Sequence, residues 1–298
     1  NVMIYKNIRI ANNFHQSVRP ATSILTLGPI PFILIGGNGI LYNWTFVNNI
    51  FNTGVGIAIQ PREISQIIID SCYLFNNSAT ASLNTSGRDN FYDHGAAMCI
   101  NGKFDNASSI VRNCVFINNT NSQGGALTPH NHCIVENCTF INNTATKFYG
   151  GAISTEDGFE RNNANVTIRD CYFENNAAPI GGAIQGKGDY LLIDNCTFKD
   201  NYAVQGGAVF LEGENLTIIN SRFYDNNATH DNLNSRGIVT GQTYLPQITE
   251  WRARGGAVYI QGEKASGAIS ENTSVTGTGT ESDPYVVVGL PKELRKLV

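Results

Sequence analysis

One short phrase recurs along the chain and restricts its fold more than any other feature. It reads Cys-x-Phe-x-Asn-Asn and is followed some residues later by Gly-Gly-Ala and an aliphatic residue. The clearest copies are Cys114 to Asn119 with Gly124 to Leu127, and Cys138 to Asn143 with Gly150 to Ile153. Two more are Cys171 to Asn176 with Gly181 to Ile184, and Cys196 to Asn201 with Gly206 to Val209. Weaker copies put Trp44 in the Cys slot before Phe46, Leu74 in the Phe slot after Cys72, and Ser221 in the Cys slot before Phe223, whose Gly255-Gly-Ala257-Val258 arrives after a long insertion. From position 44 to 221 the spacings are 28, 42, 24, 33, 25 and 25 residues. A basal unit of about 25 residues with loops inserted into it marks a solenoid, in which each repeat packs only on its neighbours.

Within the unit, apolar and polar residues alternate with period two, the strand period. Leu191, Ile193 and Asn195 read as one face, and Leu192, Asp194 and Cys196 as the other. No stretch shows a helical period with caps. The unit therefore holds roughly three short strands and three bends, and identical slots stack at about 4.8 Å between successive turns. The expected fold is an all-β, single parallel β-helix of the pectin-lyase-like kind, and strand-connection chirality favours the right hand.

Each slot then has a structural task. Phe116, Phe140, Phe173, Phe198 and Phe223 form an internal aromatic stack. Cys72, Cys114, Cys138, Cys171 and Cys196 form a buried ladder of small apolar side chains and are expected as free thiols, because parallel Cβ vectors suit a disulfide poorly. A bridge between the two cysteines off the ladder, Cys99 and Cys133, is the open alternative. The alanine after each Gly-Gly sits where the coil is narrow, and the glycines mark a tight bend or a close backbone approach. The Asn pairs suit a left-handed bend and an amide ladder, with either member free to point inward; Asn119, Asn143, Asn176, Asn201 and Asn226 occupy the second position.

Three regions follow: residues 1–43 as N-terminal strands or cap, 44–270 as the repeat β-helix, and 271–298 as a C-terminal cap, linker or assembly segment. With a net charge of −4, 15% charged residues and no basic patch, nucleic-acid binding is not expected. No apolar run reaches the roughly 18 residues of a membrane-spanning helix. The chain starts at Asn1 rather than Met, and abundant Asn, Thr, Ser and Gly point to an extracellular, cell-surface location. Sequons at Asn84, Asn106, Asn165, Asn215, Asn227 and Asn272 are candidate N-glycosylation sites; chance in an Asn- and Thr-rich chain is the alternative.

Gly-Gly-Ala-Ile together with Phe-x-x-Asn, as at Phe116–Asn119 or Phe173–Asn176, resembles the repeat signature of chlamydial polymorphic membrane proteins. In an Asn- and Thr-rich chain it also resembles the adhesin-like surface proteins of methanogenic archaea, and residues 277–288 look like module junctions of that group. The resemblance covers roughly residues 44–260, and the archaeal type is favoured because the chain shows no autotransporter barrel or cell-wall anchor. It implies surface attachment or a passenger function without naming a ligand.

Function on a scaffold is sought in what departs from the repeat. The insertions lie near residues 78–94, 154–165 and 228–254. The second carries Phe159 and Arg161, the third Tyr244, Trp251, Arg252 and Arg254; aromatic and arginine side chains carry contact energy and stack on sugars, so these six are the candidate partner-binding residues. The bland reading is that they only cover the solenoid flank. A polysaccharide lyase or glycoside hydrolase is the rival class, with Asp170, Glu174, Asp194, Asp200 and Asp225 as the carboxylates that neighbouring turns could pair. His130 and His132 could share a strand face toward a metal but lack a third ligand in sequence, so no metal and no cofactor are expected. The expectation is a non-catalytic, adhesin-like rod presenting loops to a cell-surface glycan or protein. Alternatives are a structural stalk or a self-assembling subunit joined through the solenoid ends or the C-terminal tail.

Overall fold

The computed structural model describes residues 2–15, 33–51, 56–61, 64–79, 97–100, 107–129, 132–155, 165–187, 190–212, 216–229, 238–240, 258–261, 274–276 and 285–288. These residues wind into eight stacked coils, each contributing one strand to each of four sheets. The coil is thus four-sided, where the sequence suggested three strands per turn. In the seventh coil Tyr190–Asp194 belongs to sheet A, Thr197–Lys199 to sheet B, Tyr202–Gln205 to sheet C and Val209–Glu212 to sheet D. All pairings between coils are parallel and in register, for example Phe140 with Phe173 and Ile168 with Ile193. The extra side arises because the residues after Gly-Gly-Ala form a strand of their own.

Two bends of constant length separate A from B and B from C. The first centres on Asn113, Asn137, Asp170, Asn195 or Asn220, and the second on Asn118, Asn142, Asn175, Asp200 or Asp225, all at φ between 50° and 56°. Asn and Asp tolerate this left-handed conformation better than other non-glycine residues. A single left-handed residue also reverses the strand alternation. Leu191, Ile193 and Cys196 all point inward, while Leu192, Asp194 and Asn195 face outward. The simple alternation read from the sequence put Asn195 with Leu191 and Cys196 with Leu192; the bend at Asn195 corrects both.

The interior is organised as columns. Phe116, Phe140, Phe173, Phe198 and Phe223 stack with ring centroids 4.6–5.0 Å apart and planes within 6° of parallel. The five ladder cysteines are buried between Trp44 and Ser221, and no disulfide joins any of the seven cysteines. Each ladder thiol donates to the carbonyl two residues back, as Cys138 does to Glu136 at 3.2 Å, and to the preceding coil, as Cys138 does to Val111 at 3.6 Å. The second Asn of each pair points inward. Asn143 Nδ2 donates to Phe116 O and to Asn176 Oδ1, each at 3.0 Å, and this pattern continues through Asn201 to Asn226. The Gly-Gly pair divides the two roles expected of it. Gly150 turns the chain at φ 62°, and a Cβ on Gly151 would collide with the carbonyl of Gly182 on the next coil.

Candidate functional site

The lengths of the four connections single out one face. The A-to-B and B-to-C bends are two residues long in every coil, from 7–8 and 12–13 to 220–221 and 225–226. The connections entering and leaving sheet D vary instead. The chain spends residues 80–97 before Met98–Ile100 and residues 229–257 before Val258–Gln261, with the strand Ile238–Thr240 inside the latter stretch; it spends residues 155–164 after Ile153–Ser154. All three insertions seen in the sequence therefore border sheet D. The two fixed bends are held by stacked Asn amides and left-handed backbone, where an added residue would break the ladder. Among the described residues no Asn amide column runs along the borders of sheet D, where Gly124, Gly150, Gly181 and Gly206 turn the chain at φ between 55° and 65° instead.

The outward row of sheet D consists of Ala58, Cys99, Thr128, Ser154, Gln185 and Phe210, in register from coil to coil. It faces away from the aliphatic core yet is buried, at 6% exposure or less throughout. Its polar members are neutral and partly cross-linked: Ser154 Oγ donates to Gln185 Oε1 at 2.9 Å, and Gln123 Nε2 donates to Ser154 Oγ at 3.4 Å. The hydroxyl of Thr128 is fully buried beside them. Such groups can position and hydrogen-bond a neighbour but have no charge to lend to acid–base chemistry. The sequence reading passed over this row. Its signal was the variable slot directly after the aliphatic residue of Gly-Gly-Ala-aliphatic, which reads Thr128, Ser154, Gln185 and Phe210 in successive coils.

The carboxylates proposed for a hydrolase lie elsewhere. Asp170, Asp200 and Asp225 occupy the left-handed bends. Asp170 accepts from Asn195 Nδ2 at 2.7 Å, and Asp194 from Asn220 Nδ2 at 2.8 Å. Glu174, on the outside of sheet B, accepts from the Tyr172 hydroxyl at 3.1 Å and pairs with Lys199 Nζ at 3.3 Å. Burial and the Glu174 carboxylate push the Tyr172 hydroxyl well above its usual range.

The outside of sheet A carries an alternating charge column, Asp70, Arg112, Glu136, Arg169 and Asp194. Arg112 Nε bonds Asp70 Oδ2 at 2.9 Å, and Arg169 Nε bonds Glu136 Oε2 at 2.9 Å. Partial burial works against Asp70, but hydrogen bonds from Asn113 and Ser71 and the Arg112 guanidinium outweigh it and hold its carboxyl below the ordinary value. Glu136 in turn holds the Arg169 guanidinium in its charged form.

Among the described residues no group of three or more His, Cys, Asp or Glu side chains could hold a metal ion. His132 sits in a bend at φ 52°, and His130 lies outside the described residues. Phe159, Arg161, Tyr244, Trp251, Arg252 and Arg254 also lie outside them, as do Asn84, Asn106, Asn215 and Asn272. Asn165 and Asn227 each open a strand and are exposed. Cys99 lies on the outward row of sheet D and Cys133 in the core, where burial pushes the Cys133 thiol up to about 12.

A family model described as "Right handed beta helix region" matches residues 104–282, more than half of the 298-residue chain. Comparison with the curated proteins and with the solved structures finds no match.

Proposed function

Because the chain belongs to the right-handed beta helix family, we propose that it is a non-catalytic, adhesin-like display rod whose inserted loops, gathered along the borders of sheet D, bind a cell-surface glycan or protein. The observation that carries this reading is the confinement of every insertion to one face, while the other bends keep the same two-residue length in all eight coils. Variation concentrated beside a rigid scaffold is the usual arrangement of a binding surface. The rod is roughly 40 Å long at about 4.8 Å per coil. Its ladders supply stiffness, and Tyr244, Trp251, Arg252 and Arg254 on the longest insertion, with Phe159 and Arg161 on another, supply contact chemistry. An extracellular location and the resemblance to archaeal surface adhesins are part of the same proposal.

The test is a glycan and polysaccharide array probed with the purified chain and read for both retention and product release. Retention without release, lost when Tyr244 and Trp251 are replaced by Ala in a variant of unchanged melting temperature, is the expected result. Released product would overturn the reading in favour of a polysaccharide-degrading enzyme. Silence in both channels would favour a stalk.

A further inference from the structure

The outside of sheet A carries a second column beside the charged one. Two residues before each charge stand Ile68, Ile110, Ile134, Thr167 and Leu192, and Ile40 continues them one coil earlier, in register over six coils. These side chains point away from the core, five of the six are aliphatic, and all six are only half-buried. A parallel sheet with aliphatic residues on both faces is ordinarily covered on both. Tyr42, in register with Asp70 at the head of the charge column, is exposed. The face ends at the fixed two-residue bend to sheet B, so no insertion enters along that border.

The charges alternate strictly, so the face is complementary to itself when one copy is turned end for end. A two-fold axis across the rod, between the coils of Arg112 and Glu136, sets Arg112 against Glu136 of the second copy and Asp70 against its Arg169. It also sets the Tyr42 hydroxyl against Asp194. The aliphatic column then meets itself as Ile110 on Ile134, Ile68 on Thr167 and Ile40 on Leu192. Within one chain Arg112 gives its Nε to Asp70, and its two Nη groups make no hydrogen bond among the described residues.

We propose that the outside of sheet A is a self-association face on which a second copy of this chain docks with its rod reversed, Ile110 against Ile134 and Arg112 against Glu136. The charges fix the register: a slip of one coil sets Glu136 on Glu136, Arg112 on Arg169 and Asp70 on Asp194, all like pairs. They also fix the direction, because rods docked side by side in the same direction set Arg112 on Ser108 and Asp70 on Gln66 and pair no charges. Sheet B carries outward Phe75, Ile117 and Ile141 but fails the same test, since the reversed register sets Phe75 on Glu174 and Val47 on Lys199. Six coils at about 4.8 Å and a strand of about 16 Å give roughly 500 Å² per copy. About 1,000 Å² in all is the size of a weak, reversible contact.

The experiment uses the full chain. Sedimentation velocity is expected to show a weight-average mass that rises with concentration toward twice that of one chain and stops there, because a two-fold contact closes. Ile110→Lys with Ile134→Lys, both on the outside of the sheet, should weaken the association at least about tenfold. The swap Arg112→Glu with Glu136→Arg keeps opposite charges together when two swapped copies meet and sets like charges together when a swapped copy meets the parent. Labelled mixtures should therefore show each protein pairing with itself and little mixed pairing. A parent that stays monomeric to about 1 mM would overturn the proposal. So would a mass that climbs past twice that of one chain, or swapped and parent chains that mix freely. If the lysine variant loses its β-sheet spectrum, the charge swap alone carries the test and is read the same way.

Discussion

Asn143 Nδ2 donates to Asn176 Oδ1 at 3.0 Å across a sequence separation of 33 residues, and Asn176 Nδ2 donates to Asn201 Oδ1 at the same distance across 25. The ladder bond is thus indifferent to the insertion at residues 155–164 that separates the first pair and not the second. Coil geometry, rather than repeat length, is what the column preserves.

Asn143 uses its whole amide: it accepts from the backbone N–H and the Nδ2 of Asn119 and donates to Phe116 O and Asn176 Oδ1. Asn143→Ala should therefore strand buried groups on both neighbouring coils and cost about 2–5 kcal/mol. Asn226→Ala, at the end of the column, should cost about half as much. Urea midpoints of the two variants give the comparison, and equal losses would contradict the ladder account.

The aromatic stack makes a graded prediction. Phe140→Ala should cost about 3–5 kcal/mol through lost burial and a cavity between Phe116 and Phe173. Phe140→Leu should cost roughly 1–1.5 kcal/mol, because the column already accepts Leu74 two coils earlier. Thermal melts of the pair would decide whether stacking matters beyond apolar volume.

Two glycines separate close approach from backbone conformation. Gly151→Ala meets the carbonyl of Gly182 and should destabilise by about 3 kcal/mol or more. At Gly37, φ is 82° and a Cβ finds nothing within 4 Å, so Gly37→Ala should lose only about 1 kcal/mol, the cost of the left-handed region. Similar midpoints for the two variants would contradict the contact assigned to Gly151.

Acid should weaken the charge column on sheet A. Asp70 has a folded-state pKa below its unfolded value, so its contribution is fully present above the ordinary carboxylate value near ~4 and is lost as pH falls through the lower folded value. The melting temperature of Asp70→Asn should consequently fall less than that of the parent between pH ~5 and ~2. Parallel acid limbs for the two proteins would remove Asp70 from the account.

Thiol chemistry tests the cysteine column. All seven cysteines are buried and outside any disulfide, and burial raises Cys114, Cys138 and Cys171 well above the usual thiol value. Ellman's reagent at mildly alkaline pH should find almost no reactive thiol in the native chain and all seven after denaturation. Cys171→Ser should be mild, since Ser221 holds the same slot with a hydrogen bond to Ile219 O at 2.8 Å.

Much of the scaffold is legible in the sequence. Phe116, Phe140 and Phe173 stack as the repeat implied, and Gly150 and Gly151 divide the bend and the close approach between them. The fourth side of the coil was not legible, because Ile153 and Ser154 make too short a strand to show a period. Nor was the phase of Cys196, since strand alternation assumes extended backbone and Asn195 interrupts it at φ 50°. The buried row of Thr128, Ser154 and Gln185 escaped for a related reason. Polar residues three past a Gly-Gly pair look like surface until the fold shows that they are not exposed.

The sequence by itself determined that this chain is a stack of near-identical coils. Cys, Phe, Asn and Gly-Gly-Ala recur with a period, and each residue type tolerates only a narrow environment: a ring needs a ring-sized slot, and a colliding Cβ excludes everything but glycine. Only the tertiary structure decided which Asn of each pair turns inward and on which face the insertions gather. Those outcomes depend on small rotations at Asn113, Asn118 and their counterparts that accumulate around a closed turn. Direction in space is a sum over the whole coil, and no single repeat contains it.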